Sequence, residues 1–131
     1  MKRLTAEWVR KAEADFAAAR NLRKTRPPLH DQVCFHCQQT VEKYLKALLQ
    51  EHGLPIPKTH DLTLLVSLVV SADKTCRELR CGTKTMTRFA VEYRYPGFAA
   101  SATQARAAFT KAAFFRERIR KRLGLRTRRV K

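Results

Sequence analysis

A chain of 131 residues is the size of one domain around one core. Its hydrophobic share of 44 % excludes an intrinsically disordered chain. No apolar run approaches the ~18 residues that cross a bilayer, so no membrane-spanning helix is expected. The 28 Lys and Arg against 11 Asp and Glu leave a net charge of +17. A field of that size gathers polyanions. Nucleic acid, nucleotides and acidic proteins are the partners it favours, and an Arg-rich solvated surface is the plain alternative.

The N-terminus "MKRLTAEWVRKAEADF" is basic, carries acids and lacks the continuous apolar core of a secretory signal. A cytoplasmic location and four free cysteines are therefore expected. Glycine and proline fall between periodic segments, at Pro27-Pro28, Gly53 with Pro55 and Pro57, Pro96-Gly97 and Gly124, and the pieces between them have helical period. The first, "TAEWVRKAEADFAAARNLRKT", places Trp8, Ala12, Phe16, Ala19 and Leu22 on one stripe, with Thr5 as its cap and Glu7 in its first turn. The second runs from near Asp31 to Gly53. Its stripe is Cys34, Cys37, Val41, Tyr44 with Leu45, and Leu48, while His36, Thr40 and Lys43 fall on another face. Glu42 stands four residues before Lys46, a favourable pair.

Cys34 and Cys37 thus share the face of the core residues and are expected to pack as small hydrophobes. A zinc knuckle needs its Cys-x-x-Cys on a tight turn with a second ligand pair placed to match. The rival reading joins Cys34 and Cys37 to Cys76 and Cys81 of "CRELRC" in a metal site. The expectation is no metal and no cofactor.

"KTHDLTLLVSLVV" predicts a third helix with Thr59 as cap, Asp61 at its positive end and Leu62, Leu65, Val66 and Val69 buried. His60 sits in its first turn, where a neutral, hydrogen-bonded imidazole suits the dipole; both a structural and a catalytic role are open to it. From Asp73 to Tyr93, Cys76, Leu79, Thr83, Met86, Ala90 and Tyr93 fit one helix, bent or interrupted near Gly82 and ended by Pro96. The last helix, "SATQARAAFTKAAFFRERIRKRLG", has Ser101 as cap and Ala105, Ala108, Phe109, Ala112, Phe115, Ile119 and Leu123 as its stripe. Residues 1–124 are expected to form the domain, and residues 125–131 a basic, mobile tail. The fold class is all-α, a largely up-and-down bundle of four to five helices.

Three blocks then stand out together: "FHCQQTVEKYLKALL", "GLPIPKTHDLTLLV" and "YRYPG", followed by the alanine-rich final helix. In this order and spacing, over about residues 5 to 122, the chain resembles the HEPN domain family. The resemblance implies a four- or five-helix bundle that usually dimerises and is often encoded beside a minimal nucleotidyltransferase, with which it pairs. Many members are toxins that cut RNA without metal; others bind nucleotides or RNA, or serve as scaffolds. The ribonucleases carry Arg, four to six residues, then His, near the start of a later helix. Here Arg94 is present but no histidine follows position 60, and Arg23 with His30 has the spacing at the other end of the domain.

Arg94 can fork onto phosphate and Tyr95 can stack on a base; equally, Arg94 can bond helix-end carbonyls and Tyr95 with Pro96 can stop the helix. Lys43 and Lys46 could flank an anion, and Arg116 with Arg120, Arg118 with Arg122, and Arg126, Arg128, Arg129 and Lys131 extend the charge. Tyr93 and Tyr95 are acceptors for a partner transferase. The expected function is a nucleotide- or RNA-binding and assembly module, a homodimer partnering a minimal nucleotidyltransferase in a toxin–antitoxin-like system. The alternatives are a metal-independent ribonuclease with a degenerate Arg/His motif and a purely structural interaction protein.

Overall fold

The computed structural model describes residues 1–89 and 91–127. Among them every regular element is helical: α1 (Arg3–Leu22), α2 (His30–Glu51), α3 (Leu62–Ala72), a 3₁₀ helix (Lys74–Arg80), α4 (Thr83–Phe89), a 3₁₀ turn (Glu92–Arg94) and α5 (Ala102–Arg122). The predicted all-α bundle is what forms. No described helix is long and apolar enough to cross a membrane.

α2 is the axis. It packs on α1, α3, α4 and α5, and 13 of its 22 residues are buried, more than a single amphipathic stripe would supply. α1 lies antiparallel to it, since Thr5 meets Glu51 and Glu13 meets Tyr44. α5 runs the same way as α2: the Asp31 carboxylate accepts the Ala100 N–H at 2.7 Å at one end, and Arg120 Nη1 lies 3.3 Å from the Tyr44 hydroxyl at the other. The shorter elements between Leu54 and Ala100 carry the chain back across α2 to make that return.

The stripes predicted for α1, α2 and α5 form the core, with Trp8, Leu22 and Leu123 at its rim. Val9 joins the α1 face. Ala105, Ala108 and Ala112 are buried among larger side chains, where Phe109 stacks on Phe16 with centroids 5.1 Å apart. Cys34 and Cys37 are fully buried on the α2 helix, as their spacing implied. Burial, helped by the Asp31 charge, pushes the Cys34 thiol up to about 12, pushes Cys37 higher still and takes Cys76 to about 11. Among the described residues no three His, Cys, Asp or Glu side chains gather as a metal would need. Cys81 alone of the four is exposed. Dithionitrobenzoate is therefore expected to titrate one thiol quickly in the native protein and all of them after denaturation. Fast reaction of a second thiol would contradict the buried placement.

Several helix ends differ from the sequence expectation. α1 starts at Arg3, before Thr5, because Glu51 from the end of α2 closes it. Glu51 Oε1 accepts the Lys2 N–H at 3.0 Å and the hydroxyl of the buried Thr5 at 2.9 Å. α2 ends through Gly53, whose φ of +71° lets the Leu54 N–H reach back to the Leu49 carbonyl at 3.0 Å. Asp61, not Thr59, caps α3, accepting the Thr63 and Leu64 N–H groups at 3.0 and 3.2 Å. His60 stands before that helix rather than in its first turn.

The helix expected over 73–93, bent or interrupted near Gly82, is three pieces, the first two of which part at Gly82. Asp73 is extended and caps the 3₁₀ helix, Cys81 is extended again, and Gly82 turns the chain at a φ of +80°. That positive φ favours glycine at this position. Ala90 of the predicted stripe lies outside the described residues. Ser101 caps α5 as expected, in a capping box with Gln104. Past the predicted domain end, Leu125 packs half-buried on the core and its N–H donates to the Arg120 carbonyl at 2.8 Å. Arg128, Arg129 and Lys131 lie outside the described residues.

Candidate nucleic-acid interface

Ten of the eleven carboxylates accept a hydrogen bond or ion pair from within the chain, and three of them act as hubs. Glu42 on α2 is the deepest. Its oxygens take the Lys46 ammonium at 3.1 Å, the His60 Nδ1 at 2.7 Å and the Gln38 amide at 3.3 Å. Gln38 also donates to the His60 carbonyl at 3.2 Å. The Gln-Gln-x-x-Glu-Lys-x-x-Lys block therefore clamps the 57–61 loop to α2. Lys46 is buried, with its ammonium 5.6 Å from the Trp8 ring centre. His60 keeps an exposed edge, at 62 % accessibility, while its Nδ1 serves Glu42.

Asp15 on α1 holds Lys43 at 2.5 Å and His36 at 2.8 Å. Glu13, two residues earlier on the same helix, receives Arg116 through Nε at 2.7 Å and Nη2 at 2.8 Å. It also accepts the Tyr44 hydroxyl at 2.5 Å and has Arg120 within 3.7 Å. Burial pushes the Glu13 carboxyl up, but the hydrogen bonds from Arg116 and Tyr44 and the two guanidinium charges outweigh it and hold it below its ordinary value. Burial and the Glu13 carboxylate push the Tyr44 hydroxyl up, so it remains a donor. Arg116 also lies over the Phe16 ring at 4.9 Å.

The cations and rings singled out from the sequence thus divide by position. Lys43, Lys46, Arg116 and Arg120 face inward onto Asp15, Glu42 and Glu13. Arg94 and Tyr95 are exposed, and among the described residues neither is paired with those carboxylates. The Arg94 guanidinium lies 4.7 Å over the Phe35 ring, and no carbonyl or carboxylate among the described residues receives it. Asp31, Gln32, Phe35, Tyr93 and Arg94 line an open cavity of about 290 Å³. Tyr93 stacks half-buried on Phe89 at 5.2 Å. Tyr95 and Phe98 project to solvent, 60 % and 49 % exposed. Sequence reasoning missed Phe35 and Phe98. Phe98 follows the Pro-Gly turn directly, which was the available signal; Phe35 sits beside Cys34, off the core stripe.

The spaced pair Arg23 and His30 also meets: both line a cavity of about 270 Å³ with Arg106 and Phe109, and Arg23 lies 4.1 Å over the Phe109 ring. Arg106 was not among the candidates. Arg122, last of the α5 series, turns to the 3₁₀ helix, where it bonds Asp73 and Thr75. Arg118 stays exposed over Phe114.

These features define a helical bundle with internally satisfied acids and a largely unpaired cationic exterior. The family model described as the HEPN domain matches residues 5–122, and the chain belongs to the HEPN domain family. A search of curated proteins and a search of solved structures each found no match.

Proposed function

We propose that this chain is a nucleotide- or RNA-binding and assembly module, acting in the cytoplasm as a homodimer that partners a minimal nucleotidyltransferase in a toxin–antitoxin-like pair, without metal or cofactor. Residues 1–124 are its domain and 125–131 its basic tail, of which Leu125 packs back on the core. The observation that supports this reading is the surface at the Arg94 cavity. A guanidinium seated on Phe35 is followed within four residues of chain by two solvent-facing rings, Tyr95 and Phe98, groups of the kind that take a phosphate and stack bases. His60, with its ring edge exposed, is a second contact. Lys43, Lys46, Arg116 and Arg120 contribute through positioning and field. Of the two tyrosines, Tyr95 is the one a transferase can reach.

The test is binding of a labelled single-stranded oligouridylate. Arg94→Ala and Tyr95→Ala are each expected to weaken it about tenfold, within the ~1–3 kcal/mol typical of a base–aromatic contact. Variants that bind like the parent would remove the reading's support. One observation favours a second reading, metal-independent RNA cleavage: Arg23 and His30 share a cavity with Arg106, so an imidazole and two guanidinium groups could act on one phosphate. RNA that stays intact with chelator present, for the parent and His30→Ala alike, would remove it.

A further inference from the structure

The 3₁₀ helix Lys74–Arg80 carries cations that take no part in the Arg94 surface. A 3₁₀ helix has 3.0 residues per turn, so residues three apart eclipse one another in straight rows. The seven residues sort into three such rows. Cys76 and Leu79 form the buried row. Thr75 and Glu78 form the second, which faces α5. There Arg122 donates to the Thr75 carbonyl at 2.8 Å and its hydroxyl at 2.6 Å, and lies 3.7 Å from Glu78. Lys74, Arg77 and Arg80 form the third row, exposed to solvent. All three line one trough of about 370 Å³ against Ser67, Val70 and Ser71 of α3.

Had this segment been α-helical, as the sequence suggests, the same three side chains would fan over about 120°. The 3₁₀ geometry instead sets them on one edge, about 6 Å apart at ~2 Å rise per residue. That is the order of the separation between adjacent phosphates along a single strand. Among the described residues no carboxylate pairs with any of the three. The nearest acids are already engaged: Asp73 by Thr75 and Arg122, and Glu78 by Arg122. The row is also held in place, capped by Asp73 at its start, tied to α5 by Arg122 and seated on two buried side chains.

We infer that Lys74, Arg77 and Arg80 form a backbone-binding ridge for single-stranded RNA, each cation taking one of three successive phosphates. Phosphate contacts of this kind position a strand without reading its bases. The inference rests on the RNA-binding reading above and gives it a second contact.

The test measures affinity for labelled oligouridylate across a KCl series. Each phosphate neutralised on a single strand contributes about 0.7 to the slope of log K against log salt. K74Q/R77Q/R80Q is therefore expected to reduce that slope by about 2. A charge-matched control, K11Q/R20Q/K58Q, removes three exposed cations elsewhere and is expected to change it far less. Far-ultraviolet circular dichroism checks that both variants keep the fold. An unchanged slope in the ridge variant, with binding still sensitive to Arg94→Ala, overturns the ridge and leaves the RNA-binding reading standing. An equal loss in the control also overturns it, since the attraction is then diffuse. No binding by the parent protein at the lowest salt overturns both.

Discussion

Replacing Glu42 by alanine is expected to destabilise the bundle by about 3–5 kcal/mol, the usual cost of breaking a buried ion pair from one side. The Glu42 and Lys46 side chains are only 5 % and 9 % exposed, and they meet at 3.1 Å. Removing the carboxylate leaves the Lys46 ammonium without its counter-charge in a place water barely reaches. It also removes the acceptor for the Gln38 amide and the His60 ring. The surface value of an i,i+4 pair, a few tenths of a kcal/mol, therefore understates this contact. The double change E42M/K46M is expected to recover most of the loss, because replacing both charges with apolar groups of similar size avoids stranding either. Urea midpoints at constant m report both effects. A single variant within about 1 kcal/mol of the parent would show that water reaches Lys46.

The second large effect is expected at Glu13. Glu13→Ala removes the counter-charge shared by Arg116 and Arg120 and the acceptor of the Tyr44 hydroxyl and should cost about 2–4 kcal/mol, less than a fully buried pair because the Glu13 side chain is 32 % exposed. Tyr44→Phe keeps the Arg116 fork and is expected to cost only about 1–2 kcal/mol. The pH dependence has a definite sign. The folded carboxyl titrates below its ordinary value of 4.5, so the unfolded chain takes up its proton first as pH falls. The Glu13 contribution is then complete above about pH 4.5 and declines below it, towards and through the folded value. The stability gap between parent and Glu13→Ala should accordingly narrow on acidification from that point. A gap independent of pH down to strong acid would mean that Arg116 and Arg120 do not hold the carboxylate as described.

Helices with one continuous face were legible in the sequence. Cys34, Cys37 and Val41 betray α2, and Ala105 through Ile119 betray α5, because apolar period alone decides which side is buried. The helix ends were less so. Thr5 and Thr59 have cap chemistry, but Glu51 and Asp61 take those roles, and the first of these is a tertiary contact no local pattern contains. In the 73–93 segment the break near Gly82 was legible and the change of helix type was not. Cys76, Leu79 and Met86 are buried whether the backbone is α or 3₁₀, so their spacing could not reveal the change of helix type. Among the charged candidates the Glu42–Lys46 pair was legible from its i,i+4 spacing, and the other cations were legible as charges and not as partners. Lys43, Arg116 and Arg120 resemble surface residues until the fold brings Asp15 and Glu13 of α1 against α2 and α5. Arg94 needed no distant acid, and its aromatic support comes from Phe35, which sequence reasoning passed over.

The enclosure of α2 has a consequence for how such a protein can diverge. Only the first turns of α2, at Asp31, Gln32 and Phe35, line the Arg94 cavity, while the rest of the helix is covered by α1, α3, α4 and α5, so substitutions along that covered length are filtered mainly by packing. The exposed cations of the 3₁₀ edge and the Tyr95–Phe98 corner carry little of the core. Mutations there can exchange one ligand for another while the scaffold beneath stays intact, which leaves recognition free to drift on an unchanged frame.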